Sequence, residues 1–227
     1  MKHIFATLSC LLFAAVAQAS PLDQLSDKDT AGGLKEALSQ GASKAVDMLG
    51  QNGGFMNNPK VKIGLPGGLD KAAGMMRNFG MAKYVDDLET SMNRAAEAAV
   101  PEAKTLLVDS IKKMSVQDAK GILTGGDDAA TQYFRRTTSG PLSERFKPIV
   151  QKSIANTGVA EKYDQFAGKA GKFGLVKEQD AHLDGYITGK TLDGLYLMIA
   201  EEEKAIRSNP LGAAGNLAKK VFGSLGQ

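Results

Sequence analysis

The residues of this sequence with the clearest potential for chemistry are acids on predicted helices, and Glu202 is the most informative of them. Apolar residues precede and follow it at helical spacing: Leu195, Met198, Ile199 and Ile206. This spacing places Glu202 on the apolar face, where a carboxylate needs a partner or must take up a proton. Three arginines are candidate partners: Arg135, Arg136 and Arg145. The neighbouring Glu203 lies four residues from Arg207, a spacing typical of a surface ion pair.

Asn93 and Glu97 form a second polar pair, one helical turn apart beside a stripe of alanines. Buried polar groups of this kind usually fix the register of neighbouring helices. We therefore interpret these side chains first as a structural network and second as a catalytic site. If they line a polar pocket, its candidate residues are Asn93, Glu97, Asp118, Tyr133, Arg136, Glu202 and Arg207.

Asp127 and Asp128 follow two glycines at the predicted start of a helix. A carboxylate there accepts backbone N–H bonds and interacts favourably with the helix dipole, which explains these acids structurally. The alternative is a metal or acid–base site. The spacing is not that of an EF-hand loop, and a hard cation would need further oxygen ligands from elsewhere in the fold. The two aspartates are therefore only weak metal candidates, and we predict neither a bound metal nor a cofactor.

Histidine and cysteine chemistry is restricted by composition. His182 is the only histidine after residue 19, and Cys10 is the only cysteine. A histidine-rich zinc site cannot form within one such chain, and a Ser-His-Asp triad would have to use His182. The sequence has no Gly-x-Ser-x-Gly motif to supply the nucleophile.

The elements that position these residues are predicted to be helices. Apolar residues make up 43% of the chain, aromatic residues only 6%, and tryptophan is absent. The abundance of alanine, leucine and methionine, which lose little rotamer freedom in a helix, favours helices over a β-sandwich. The formal net charge is +3 with acids and bases interleaved, which argues against a nucleic-acid partner. We expect an all-α protein, a single multi-helix bundle with kinked helices.

The N-terminal segment has the pattern of a signal peptide. Lys2 and His3 precede a short apolar run, and residues 17–19 read Ala-Gln-Ala, with small side chains where signal peptidase cleaves. We predict cleavage before Ser20, export to the periplasm, and one domain over residues 20–227. The apolar run is too short to span a membrane permanently, and no later stretch approaches that length.

Apolar spacing, caps and glycine or proline breaks divide the mature chain into helices. They are predicted over about 30–49, 66–80, 81–99, 103–114, 116–123, 127–137, 142–154, 159–170, 183–206 and 217–222. Ser115 with Asp118 forms the clearest capping box. Pro101 marks a kink or a new first turn, and helical register continues through Pro148.

One segment, residues 55–66, is predicted to be irregular or extended. It contains Asn-Asn-Pro and Gly-Leu-Pro around the alternating Lys60, Val61, Lys62 and Ile63. It is too short to form a sheet alone. We expect a surface loop whose apolar side chains pack onto the helices: Phe55, Val61 and Ile63.

Several stretches of the sequence resemble one family of exported bacterial proteins. They are GLKEALSQGASKAV from Gly33, NRAAEAAVPEAK from Asn93, MSVQDAKGILTGGDDAATQYF from Met114, RFKPIV from Arg145 and LDGLYLMIAEEEKAIRSNP from Leu192. Their consecutive order makes the likeness specific, and it covers essentially the whole mature chain. The family is a domain of unknown function, DUF4197. The resemblance implies an all-helical fold and an envelope location, and it implies no activity.

Two functional hypotheses follow. The first is a non-catalytic binding or scaffold protein, which holds an apolar ligand or a partner helix in a methionine-rich groove. The predicted lining of that groove is Met81, Met92, Met114, Met198 and Phe134. The second is a hydrolase or lyase that uses carboxylates, with or without a divalent cation. Its candidate residues are Glu97, Asp127 and Glu202, with Tyr133 or Arg136. The positions of these acids distinguish the two hypotheses, because the enzyme requires two of them in one cleft that solvent can reach.

Overall fold

A computed structural model describes residues 26–65, 74, 77–155, 163, 182–209 and 215–223. The predicted signal peptide, most of the predicted helix 66–80 and the predicted helix 159–170 lie outside these residues.

The described residues form helices and connecting turns, without a strand, so the predicted all-α fold is confirmed. The helices are α1 (Asp27–Gly50), α2 (Ala82–Ala99), α3 (Ala103–Lys113), α4 (Val116–Leu123), α5 (Ala129–Ala155), α6 (Leu183–Ser208) and α7 (Asn216–Gly223). A π-helical turn (Arg77–Met81) precedes α2, and a 3₁₀ turn (Val100–Glu102) joins α2 to α3. Pro101 lies in the first turn of that 3₁₀ segment, where its missing N–H costs nothing.

Helix α1 begins where its cap dictates. The hydroxyl of Ser26 accepts a hydrogen bond from the backbone N–H of Asp29 (3.1 Å), so the helix starts at Asp27, three residues earlier than the apolar spacing predicts. Its apolar face is buried as predicted, and Gly33 lies on that face. A Cβ added to Gly33 would lie 2.8 Å from the carbonyl oxygen of Leu217, so the absence of a side chain lets α7 pack directly on α1.

Helix α5 differs from the prediction because it runs without a break through Gly140, Pro141 and Pro148. The sequence indicated a division near residue 140. Both prolines are exposed, so the hydrogen bonds that they remove lie on the solvent side. The buried stripe continues in helical register on the other side: Thr138, Leu142, Phe146 and Val150. Packing of this stripe therefore overrides the local breakers.

The core lies between α1, α2, α5 and α6, because α6 packs against both α1 and α5 and α2 packs against α5. The hydroxyl of Tyr196 on α6 is 2.9 Å from that of Thr138, and Gln151 donates to Asp184 at 2.7 Å, so α5 and α6 run antiparallel. The largest fully buried side chains come from all parts of the bundle, including Leu34, Phe55, Phe134, Phe146 and Tyr196. Within the described ranges, none of the helices has the length and apolar content to cross a membrane.

Candidate functional site

The loop after α1, residues 51–65, is held by side chains of α2. Asn93 is fully buried, and its amide pairs with both backbone groups of Ile63: the N–H donates to Oδ1 at 2.8 Å, and Nδ2 donates to the carbonyl at 2.9 Å. Nδ2 also donates to the carbonyl of Glu89 at 2.7 Å. Asn93 thus satisfies an irregular backbone segment that has no helix or sheet of its own.

Glu97, one turn further along α2, holds the other end of the same loop. Its Oε1 accepts hydrogen bonds from the backbone N–H groups of Phe55 (3.1 Å) and Met56 (3.2 Å). Its Oε2 pairs with Arg94 at 3.0 Å. Phe55, Val61 and Ile63 are buried against the helices, as the sequence predicted. Asn93 and Glu97, the predicted polar pair, therefore anchor the loop, and both carboxylate oxygens of Glu97 are hydrogen-bonded.

Glu203 is the most completely coordinated acid in the described part of the chain. Its carboxylate accepts from the backbone N–H groups of Ala130 and Thr131, both at 2.9 Å, and from the Thr131 hydroxyl at 2.9 Å. Arg207 pairs with it at 2.9 Å and also donates to the carbonyl of Ile122 at 2.8 Å. The predicted ion pair between Glu203 and Arg207 is thus present. Its predicted surface position is wrong, because the two side chains are only 4% and 14% exposed.

Glu202 is partly buried, and its partner was predicted wrongly. Its carboxylate pairs with Lys44 of α1 at 2.8 Å, with side-chain exposures of 13% for the acid and 62% for the lysine. None of the three arginines proposed as partners contacts it. Arg135 and Arg145 pair with other acids instead: Asp193 and Glu102.

Asp118 caps α4 and does not line a pocket. Ser115 and Asp118 form the predicted capping box: the Ser115 hydroxyl accepts from the Asp118 N–H at 3.0 Å, and Asp118 Oδ2 accepts from the Ser115 N–H at 3.0 Å. The Ser115 hydroxyl also donates to Asp118 Oδ2 at 2.6 Å. These hydrogen bonds, the side-chain one above all, lower the pKa of Asp118 below its ordinary value of 3.8.

This shift predicts a pH-dependent contribution to stability. A carboxyl whose pKa is lower in the folded state stabilises the fold above its unfolded pKa and loses that contribution as the pH falls through the folded value. We expect Asp118→Asn to lower the free energy of unfolding by about 1 kcal/mol at pH 7, as loss of a cap does. The difference from the unmodified protein should shrink towards zero when the pH falls below about 4. Urea denaturation at several pH values measures it; a difference that is constant with pH would contradict the prediction.

Tyr133 and Arg136 lie together, and the charge of Arg136 also acts on Asp118, where it helps to lower the pKa of that carboxyl. The Tyr133 hydroxyl donates to the carbonyl of Ser110 at 2.9 Å, and the guanidinium of Arg136 lies 5.6 Å from the centre of the Tyr133 ring. Tyr133 is buried and Arg136 exposed. The Tyr133 hydroxyl thus links α5 to α3. Because it is hydrogen-bonded to a backbone carbonyl, it is not paired with a carboxylate as an acid–base site would require.

Asp127 and Asp128 are both exposed in the turn before α5. The sequence predicted that they accept the first N–H groups of this helix, but the N–H groups of Ala130 and Thr131 bind Glu203 instead. Asp128 accepts from the Gln132 side chain at 2.9 Å. Among the described residues, no group of three or more acids, histidines or cysteines is close enough to hold a metal ion.

The predicted polar pocket is therefore divided among separate structural contacts. Asn93 and Glu97 share the 51–65 loop, and Tyr133 lies beside Arg136. Asp118 lies within the influence of Arg136 but caps α4, Glu202 pairs with Lys44, and Arg207 binds Glu203. The predicted methionine-rich groove is wrong as well, because its members with described side chains belong to the closed core: Met92, Met114, Met198 and Phe134.

A different concave surface lies between the 51–65 loop and α6. It is a cleft of about 320 Å³. Residues 60–65 form one wall. One face of α6 forms the other, because these positions recur at intervals of three and four residues: Tyr186, Lys190, Asp193, Gly194 and Leu197.

Two contacts set the distance between these walls. A Cβ added to Gly194 would lie 2.8 Å from Cε1 of Phe55 and 3.3 Å from Cβ of Val61, so the loop packs directly on the backbone of α6. At the other end, the Tyr186 hydroxyl donates to the carbonyl of Gly64 at 2.8 Å. The cleft is thus a feature of how the loop docks, and Asn93 and Glu97 fix that docking from behind.

The cleft combines apolar and charged surface. Leu65 and Leu197 supply apolar area, and Leu197 is 40% exposed. Lys60, Lys62 and Lys190 line the cleft against one acid, Asp193. Sequence reasoning missed these residues, although the face of α6 is readable from their spacing. The cleft could not be inferred from this spacing alone, because its other wall is the loop, whose position depends on contacts between residues far apart in sequence.

The fold and the site together define an all-helical protein with an anchored loop and a small amphipathic cleft. The chain belongs to the family described as "Protein of unknown function (DUF4197)", whose family model matches residues 24–223. The family resemblance stated from the sequence is thereby confirmed. No curated protein and no solved structure matches this chain.

Proposed function

We propose that this protein is an exported, non-catalytic binding protein of the cell envelope, which holds a small ligand in the cleft between the 51–65 loop and α6. The N-terminal pattern of a signal peptide and the resemblance to exported proteins support the location. The proposal keeps the first of the two functional hypotheses and moves its site from the methionine-rich core to this cleft.

One observation carries the proposal. Leu197 and Val116 are the large apolar side chains that the described residues expose to solvent, and Leu197 lies inside a concave surface. An apolar side chain in a cleft with a few polar groups is the usual composition of a ligand site. The volume of about 320 Å³ corresponds to the lower end of such sites.

The arrangement of the acids supports binding over hydrolysis. A general acid or base must reach its substrate with a free oxygen. Both oxygens of Glu97 and Glu203 accept hydrogen bonds from backbone N–H groups or arginines. Glu202 pairs with Lys44, and Asp127 lies in an exposed turn. The acids of the alternative hypothesis therefore bind groups of the protein itself or lie apart from one another.

Native mass spectrometry of protein purified from its own cells tests both parts of the proposal. The intact mass should correspond to a chain that begins at Ser20, and a fraction of the protein should carry a bound small molecule. Leu197→Gln should reduce the bound fraction as expected for an affinity about tenfold weaker, because it removes a leucine-sized apolar contact.

Val116→Gln is the matched control, because Val116 is exposed to a similar extent (45%) and does not line the cleft. It should leave the bound fraction unchanged. A mass that includes residues 1–19 would refute export through a cleaved signal peptide. Absence of a bound molecule, or its equal retention by both variants, would refute the cleft as the binding site.

A further inference from the structure

We infer that the ligand of this cleft is a small anionic amphiphile, whose anionic group binds the ammonium of Lys190 and whose apolar part lies on Leu197 and Leu65. The inference rests on the proposed function and adds the chemical class of the ligand and the residue that recognises its charge. The distribution of ion pairs around the cleft is its basis.

In the part of the chain that the structure describes, positive charge is in excess at the Lys190 end of the cleft. Asp193, the acid among the lining residues, has two cations near it: Lys190 Nζ at 3.8 Å and Arg135 Nη1 at 3.9 Å. Both distances exceed that of a hydrogen bond, so neither cation is firmly bound. Arg135 also lies 4.7 Å from the centre of the Tyr196 ring, which holds it beside this end of the cleft. One carboxylate therefore faces two cations, and a second anion would balance the charge.

The other lysines of the cleft are better compensated. Lys60 is hydrogen-bonded to Glu201 at 2.6 Å, a close one-to-one pair. Lys62 belongs to a group with equal numbers of cations and acids: Lys62, Arg77, Asp86 and Glu89. Among the described residues, Lys190 is consequently the lysine of this cleft whose charge is least compensated by acids.

The apolar surface adjoins this charge. Nζ of Lys190 lies 5.9 Å from the centre of the Tyr186 ring, and Leu197 projects from α6 two turns further along. A ligand with one anionic group next to an apolar body matches this order of surfaces. A polyanion would be repelled by Asp193 and Glu201. An uncharged hydrocarbon would make no electrostatic contact with the excess positive charge.

Isothermal titration calorimetry with decanoate, below the concentration at which it forms micelles, tests the inference. Decanoate should bind with one site per chain. Lys190→Gln should raise its Kd about fivefold, the size expected of a partly exposed charge contact. Asp193→Asn should lower Kd by about the same factor, because it removes the competing acid. A general loss of structure would weaken binding in both variants, so the opposite signs separate recognition from stability.

Two controls complete the design. Lys113→Gln removes an exposed lysine that does not line the cleft and should leave Kd unchanged. Decyltrimethylammonium has the same chain length and the opposite charge, and it should bind at least fivefold more weakly than decanoate. The inference is overturned if the cation binds as well as decanoate or if Lys190→Gln and Asp193→Asn leave Kd unchanged. Binding to phosphatidylglycerol vesicles without binding of free decanoate would also overturn it, because the target would then be a membrane surface.

Failure of this inference is distinguishable from failure of the proposed function. A native ligand that Leu197→Gln releases, together with no binding of decanoate, would leave the cleft as the site and refute the ligand class. Decanoate binding that Leu197→Gln does not weaken would place the decanoate site elsewhere and refute the ligand class alone. Retention of the native ligand by Leu197→Gln would refute the proposed function.

Discussion

Glu203→Gln should lower the free energy of unfolding by about 3 kcal/mol, although the change preserves the shape of the side chain. The carboxylate is buried and neutralises Arg207, so its loss leaves a cation with little solvent access and no charge partner. The amide nitrogen of glutamine would also face an N–H group where an oxygen now accepts the hydrogen bond of Ala130 or Thr131. Chemical denaturation monitored by circular dichroism measures the effect.

The adjacent Glu202 provides a matched control. It is the same residue type on the same helix, and its partner Lys44 is 62% exposed. Glu202→Gln should therefore cost less than about 1 kcal/mol, as solvent-exposed ion pairs usually do. Equal losses for the two variants, or a loss below 1 kcal/mol for Glu203→Gln, would contradict the assignment of Glu203 as the buried acid.

A double-mutant cycle separates the two roles of Glu203. Arg207→Met removes the cation while keeping much of the apolar stem. The coupling between Glu203→Gln and Arg207→Met measures the ion pair, and the remaining effect of Glu203→Gln measures the capping of α5. We expect both parts to contribute about 1 kcal/mol or more, because the carboxylate binds the arginine and two backbone N–H groups at the same time.

The choice between Glu202 and Glu203 shows where sequence reasoning stops. Adjacent helical residues point about 100° apart, so either acid fits a broad apolar face. Tyr196 is fully buried against α5, and Glu203, two helical turns further along α6, lies on the same buried face. The open N–H groups that bind Glu203 lie at the start of another helix, some 70 residues away in sequence. Spacing within α6 alone does not contain that information.

Local signals predicted helix ends where local chemistry decides them. The capping box of Ser115 and Asp118 starts α4, and the glycine pair 125–126 separates α4 from α5, as expected. The prediction failed at Pro141, where local chemistry competes with a buried stripe that spans both sides of the proline. Tertiary packing decided that competition, and the sequence pattern gives no measure of its strength.

The 51–65 loop shows both a feature that local sequence predicts and one that it does not. Its buried apolar residues were predictable from type and spacing, because burial of large apolar side chains away from water is favourable. The cleft was not predictable, because it depends on the contact of Phe55 with Gly194, which are far apart in sequence. Asn93 and Glu97 were identified as a structural pair, but the loop that they hold was not identified.

Asn93→Leu should destabilise the 51–65 loop and lower the free energy of unfolding by about 3 kcal/mol. Leucine has a similar volume, so the effect comes chiefly from hydrogen bonds: the N–H and the carbonyl of Ile63 lose their partners in a buried site. Each buried backbone group left without a partner costs about 1–3 kcal/mol. Asn57→Leu changes an exposed asparagine of the same loop and should cost less than 1 kcal/mol.

Trypsin distinguishes loosening of the loop from a uniform loss of stability. Lys60 and Lys62 lie on either side of the buried Val61, and tryptic cleavage after either lysine requires the segment to leave α6. Under native conditions Asn93→Leu should accelerate cleavage at these two sites far more than at the exposed Lys113, with the sites identified by mass spectrometry. Because residues 60–65 form one wall of the cleft, the variant should also weaken decanoate binding. Equal acceleration at all sites would mean that Asn93 stabilises the bundle as a whole, and that the wall of the cleft does not depend on it.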